Sequence, residues 1–171
     1  MGEDSPSKLE KALFNVPPKE LMASPSGQVF LEQYKSYLEY IDKVSERRQN
    51  ANSFFLSLNT GVCALLGYIF SKDSAPELKS LIWVLPIAGI FLSYFWYRLV
   101  TSYSQLNSGK FAVLHLMEKY LPAAPYRAEW VAMGEGKDKS LYTPLTHLEI
   151  WIPRLFILMY LVLMIYWIKV L

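Results

Sequence analysis

Two histidines, one cysteine and a glycine-bearing basic loop are the residues of this chain with the most direct claim on chemistry, and their spacing suits none. His115 and His147 each have one carboxylate nearby, Glu118 and Glu149. Neither pair has the spacing of a metal site, which takes three or four ligands. Cys63 is the single cysteine, so no intrachain disulfide forms, and its place in an apolar run makes it a small packing residue. The segment GEGKDKS at 134–140 resembles a phosphate loop only superficially. Asp138 stands where Ser or Thr must follow the lysine, and Val131 stands where the leading glycine belongs. No serine elbow or cysteine nucleophile is present. The expectation is a protein that is not an enzyme, with no catalytic residue, no cofactor and no metal. The polar groups that remain conspicuous are Asn52, Asn59 and Thr60, together with the charges of Arg47, Arg48, Asp42, Lys110 and Arg154.

Those groups stand out because of what surrounds them. Hydrophobic residues make up 53% of the 171, and the mean hydropathy is +0.18. The charges are segregated: they are almost absent from 52–70, 81–97 and 155–168 and crowd the stretches between. A soluble core helix alternates its faces, whereas uniform apolar runs of about 20 residues match the bilayer core. The chain reads as an all-α integral membrane protein with three transmembrane helices, near 52–70, 81–97 and 148–168. Tyr94-Phe95-Trp96-Tyr97 supplies an aromatic belt to the second. Pro153 begins or bends the third after a short interfacial turn at 148–152, and Arg154 snorkels back to the interface. Thr146 and Glu149 fit a capping box ahead of it.

Charge also gives an orientation. Lys and Arg number 7 in 1–51 and 6 in 98–147, while Lys72, Lys79 and Lys169 lie on the opposite side. With Arg47-Arg48 abutting the first span, the N-terminus is expected in the cytoplasm and the C-terminus outside it. A net charge of +2, with no basic cluster beyond that pair, excludes nucleic acid as a partner.

The spans extend beyond the membrane. Phe30, Tyr34, Tyr37, Ile41, Val44 and Arg48 recur at steps of four and three, as do Leu99, Tyr103, Leu106, Lys110, Val113, Met117 and Tyr120. With no breaker before the first span, one helix is expected from about 28 to 70 and a second from 80 to 121, where Pro122 follows. Ser24-Pro25 offers the first a start, and Pro76 lies in the turn at 71–79 between them. Folded on each other, they make an antiparallel hairpin whose cytoplasmic stem, 28–51 with 98–121, reaches ~30 Å past the bilayer. That register brings Asp42 beside Lys110 and predicts an ion pair. Residues 122–147 form a cytoplasmic loop. Residues 1–26, rich in Ser and Pro, are expected to be mobile apart from one turn at 9–14 introduced by Ser7 and Glu10, and 27–171 form a single helical membrane domain.

Within the first span, Asn52 and Asn59 are one heptad apart and share a face, beside a row of small residues, Ser53, Ser57 and Gly61. One reading is interhelical hydrogen bonding and close packing. The other is a hydrated pore lined by Asn52, Asn59 and Thr60 in an oligomer. The absence of ionisable residues deep in any span argues against proton-coupled transport.

Several strings carry a resemblance: ERRQ at 46–49 followed by ANSFFLSLN at 51–59, then QLNSGKF at 105–111, EKYLP at 118–122, AEW at 128–130 and YTPLTHLEIWIP at 142–153. In this order they resemble the RipA-like family of octameric bacterial cytoplasmic-membrane proteins, over about 30–168. The resemblance implies an inner-membrane octamer without an assigned activity, and an alanine where this chain has Gly109. A homo-oligomeric scaffold in membrane or stress physiology is thus expected. The alternatives are a conducting pore and an accessory subunit that binds a cytoplasmic protein through the stem or the loop.

Overall fold

The computed structural model of the protein describes residues 26–71, 81–137, 140, 142 and 145–170, with no side-chain placement for residues 81, 146, 147 and 170. Among the described residues there are four α-helices and no strand: α1 (Ser26–Phe70), α2 (Leu81–Glu118), α3 (Pro125–Ala132) and α4 (Leu145–Val170). Helices α1, α2 and α4 are each long and apolar enough to cross a membrane. The Ser24-Pro25 start, the Ser7/Glu10 turn and the connection around Pro76 lie outside the described residues, as do Asp138 and Lys139 and the side chains of Thr146 and His147.

α1 runs unbroken for 45 residues, because no proline or glycine pair interrupts the stripe that precedes the span. α2 is continuous for 38 residues although Pro86 lies inside its second turn, where few intrahelical bonds are lost. Three i→i−3 hydrogen bonds, the last from Leu121 N–H to the Glu118 carbonyl at 3.2 Å, tighten the chain after its end. α4 corrects the expected interfacial turn at 148–152. The helix starts at Leu145 and passes through Pro153, which is buried, so the segment before the proline is already helical. The expected loop at 122–147 likewise contains a helix, α3, followed by a 3-10 turn at Gly134–Gly136.

The chain packs as two compact units. Unit 1 joins the first half of α1 to the second half of α2 and to α3. Its core is Phe30, Tyr34, Ile41, Leu114 and Met117, with Phe111, Tyr120 and Tyr126 against it. Unit 2 joins the remaining halves of α1 and α2 to α4, around Leu66, Tyr160 and Trp167. In both, α1 and α2 meet in antiparallel order, as in a hairpin: Tyr34 meets Glu118 in unit 1, and Asn52 meets Trp96 and Asn59 meets Ser93 in unit 2. Gly89 sets the approach of α2 to α4. A Cβ there collides with the Tyr160 ring, so only hydrogen fits.

The α1 seam is as expected, with Phe30, Tyr34, Ile41, Val44, Asn59 and Leu66 buried. The α2 seam is partly displaced. Leu106 is exposed, and Leu114 rather than Val113 is fully buried, while Lys110 and Met117 keep their places. The step pattern tolerates either choice wherever two apolar residues are adjacent, and packing against α1 selects one.

Candidate functional site

The two asparagines of the first span face inward and are hydrogen-bonded. Asn59 is completely buried. Its Nδ2 donates to the Phe55 carbonyl one turn back at 2.9 Å. Its Oδ1 accepts from Ser93 Oγ of α2 at 2.9 Å and from Tyr160 Oη of α4 at 3.1 Å. One amide therefore ties three helices together where no water competes, and each group is satisfied at the point where an unpaired one is most costly. One heptad earlier, Asn52 Oδ1 accepts from Trp96 Nε1 at 2.8 Å, and the Trp96 ring stacks on Phe55 at 6.1 Å between centroids. Cys63 packs by its sulfur against the Tyr160 hydroxyl at 3.7 Å.

The other members of the predicted set lie elsewhere. Ser53, Ser57, Thr60 and Gly61 are all exposed on α1. Ser57 and Thr60 turn their hydroxyls back onto the carbonyls of Ser53 and Leu56, both at 2.8 Å. A Cβ on Gly61 would meet nothing within 4 Å. The three groups proposed to line a pore are thus split: Asn52 and Asn59 turn into the protomer, and Thr60 turns out of it.

Charges near the ends of the spans are also organised. Arg48 Nη1 lies 3.6 Å from Glu149 Oε2. This engages the carboxylate that the sequence assigns to a helix cap. Arg47 is exposed. Arg154 donates to the Tyr97 hydroxyl at 3.4 Å, and its guanidinium lies 5.0 Å from the Tyr97 ring and 5.5 Å from the Trp151 ring.

In unit 1 the expected ion pair between Asp42 and Lys110 is absent. Asp42 is exposed, whereas Lys110 is buried with its Nζ 3.2 Å from the centre of the Tyr40 ring and 5.6 Å from that of Tyr37. The aromatic faces of the stripe compensate the ammonium instead. Its Nζ makes no hydrogen bond. A second buried charge is Glu118, which the sequence marks only as the carboxylate near His115. Its Oε1 and Oε2 accept from the Tyr126 and Arg127 backbone N–H groups, each at 2.9 Å, at the N-terminus of α3. Ala124, which precedes α3, has no side-chain cap of its own, so the carboxylate at the end of α2 substitutes for it. Tyr34 Oη donates to Glu118 at 3.3 Å. Burial, and then the negative charge of Glu118, push the Tyr34 phenol up to about 12. Among the described residues no group of three metal-ligating side chains occurs.

This arrangement fixes helices to one another and leaves apolar surface outside. A sequence model of the octameric membrane protein family, 8xMP, matches residues 31–169. The chain belongs to that family. No curated protein and no solved structure matches it. The match of the octameric membrane protein family takes in the Asn59 node, the Arg154 cluster, the Glu118 cap and all three apolar helices. Membership of this family points to self-association in a membrane.

Ser93 and Tyr160 escaped the sequence reading, which marks Trp96 only as a belt residue and Glu118 only as a neighbour of His115. Ser93 is the only hydroxyl amino acid other than tyrosine in 81–97, which is the signal that was available for it. For Glu118 the signal was a carboxylate at the end of an apolar stripe with Pro125, a first-turn residue, seven positions on.

Proposed function

We propose that the protein is a homo-oligomeric scaffold of the bacterial cytoplasmic membrane, assembled from eight copies, with no catalytic activity. The inward engagement of Asn52 and Asn59 carries this reading. An amide that is fully buried and shared among three helices is a fastener, and it offers nothing to a permeating ion or solute. The family supports the copy number. The exposed row Ser53, Ser57 and Gly61 supports close contact with a second copy, because the Ser57 hydroxyl is already turned onto the Ser53 carbonyl and the glycine leaves room for a neighbouring backbone. The excess of Lys and Arg in 1–51 and 98–147 supports a cytoplasmic N-terminus and a periplasmic C-terminus.

Cysteine accessibility tests the reading in intact membranes. In a Cys63→Ser background, Asn52→Cys and Asn59→Cys should resist a small aqueous thiol reagent and react only with a lipid-soluble one. Rapid aqueous labelling at both positions would establish a hydrated path and replace the scaffold with a pore. Native mass measurement after crosslinking should give eight copies, and any other number rejects the octamer.

A further inference from the structure

Arg154 and Arg98 in unit 2 are cations whose anion has not been accounted for. Arg154 is exposed, held against the rings of Tyr97 and Trp151, and bonded to the neutral Tyr97 hydroxyl. Arg98 is also exposed and directly follows Tyr97 on α2, so a second guanidinium is carried on the residue next to that phenol. Neither has a carboxylate within 4.0 Å among the described residues, and Glu149 is engaged by Arg48. Two exposed cations without carboxylate partners attract a third party that brings negative charge.

The position of the cluster indicates what that party is. The apolar run 81–97 ends directly before Arg98, and the apolar run 155–168 begins directly after Arg154. Both cations therefore stand where lipid-facing surface gives way to polar surface, the depth of the headgroup phosphates. Trp151 is 58% exposed beside them, as an interfacial aromatic should be. A guanidinium presents a planar fork that fits two phosphate oxygens at once. With two positive charges and no carboxylate of their own, these groups repel the ammonium of a zwitterionic headgroup. We propose that Arg154, held against Tyr97 and Trp151, and Arg98, the residue after Tyr97, bind the phosphodiester of an anionic phospholipid. The site lies on the outer surface of unit 2 and does not depend on the scaffold reading or on the copy number.

The test uses the full chain, purified in a neutral detergent and offered phosphatidylglycerol, phosphatidylcholine or inorganic phosphate. Lipid retention is read by native mass spectrometry and stabilisation by the thermal unfolding midpoint. Phosphatidylglycerol should be retained about tenfold more tightly than phosphatidylcholine, and Arg98→Gln or Arg154→Gln should each weaken it about tenfold, the effect of one charge-assisted hydrogen bond. Lys169→Gln, which removes the same charge from the far end of α4, should change retention less than about twofold. Equal retention of the two lipids overturns the proposal, as does phosphatidylglycerol retention that is unchanged in both arginine variants. Displacement of phosphatidylglycerol by inorganic phosphate would make this a free-anion site and overturn the lipid assignment. If Arg154→Gln fails to assemble, Arg98→Gln and the comparison of lipids on the unaltered chain decide.

Discussion

Asn59 offers one side-chain oxygen to two hydroxyls on two other helices, which is more than hydrophobic packing at that point could specify. Asn59→Leu keeps the volume but strands the Ser93 and Tyr160 hydroxyls in an apolar surround. Single interhelical bonds in membranes average only about 0.6 kcal/mol, but an unpaired buried group costs about 1–3 kcal/mol. The variant should therefore lose about 1–3 kcal/mol in reversible unfolding from detergent, and Ser93→Ala about half of that or less. An unchanged unfolding midpoint for Asn59→Leu would show that the node is dispensable. In unit 1 the Tyr34 phenol gives a prediction with a defined sign. Its folded pKa, about 12, exceeds the ordinary value of 10.0, so the folded state holds the proton more tightly. The associated stability is complete below pH 10 and is lost as the pH rises through 12. Thermal unfolding followed from neutral to alkaline pH should show this loss, and Tyr34→Phe should flatten the part of it that belongs to residue 34. A profile that Tyr34→Phe leaves unchanged would assign the loss to other groups. Much of this was unreadable in the sequence. Asn52 and Asn59 were visible as a pair one heptad apart, but which way they turned depended on Trp96, Ser93 and Tyr160, whose partners lie 34 or more residues away. Likewise, Lys110 was correctly placed in the seam, but a carboxylate was expected beside it because the register specifies level and not rotation. Asp42 is one residue past the inward-facing Ile41 and so turns away.

Elements were the most legible scale, because each helix is written in a single run of residues. The stripe from Phe30 to Leu66 needs only its own spacing to define α1, and a change from mixed to uniform apolar character marks where the span begins. The shorter α3 was missed, since eight residues rarely sustain a helix alone and its cap is a carboxylate on another element. Two glycines on α2 separate what an element needs from what it merely tolerates. At Gly89 a Cβ meets the Tyr160 ring, which is held in the Asn59 node and cannot swing aside freely. Gly89→Ala should destabilise the protein by about 1–3 kcal/mol, the usual cost of overpacking. At Gly109 a Cβ meets nothing within 4 Å, and the helix is otherwise regular. Gly109→Ala should stabilise by up to about 1 kcal/mol through helix propensity alone. Chemical or thermal unfolding of the two variants side by side checks the contrast. Equal effects would mean that the approach of α2 to α4 is looser than the contact with Tyr160 requires.

At the scale of the whole molecule, the exposed surface of the three apolar helices is not uniform. On α4 it is built from large side chains, with Leu155, Leu158, Val162, Ile165 and Tyr166 all more than half exposed, and on α2 Val84 and Phe91 continue the pattern. Such surfaces suit lipid tails, which fill the gaps between bulky groups. On α1 the exposed positions 53, 57, 60 and 61 are Ser, Ser, Thr and Gly, a row of small residues beside the exposed Phe54, Leu58 and Leu65. Lipid gains little from such a row, while another helix gains close backbone approach and dispersion along its length. For a member of an octameric family, a second copy of the chain is the natural occupant. Gly61→Leu should therefore reduce the proportion of octamer several-fold in native mass spectra while leaving the protomer folded, because a side chain there touches nothing within its own chain. Leu158→Ala on α4 is the matching control: it alters an equally exposed position on a lipid-type face and should leave the assembly intact. Loss of octamer in the control with none in Gly61→Leu would move the interface from α1 to α4. Loss in neither would exclude both faces and leave the interface to other surfaces of the chain.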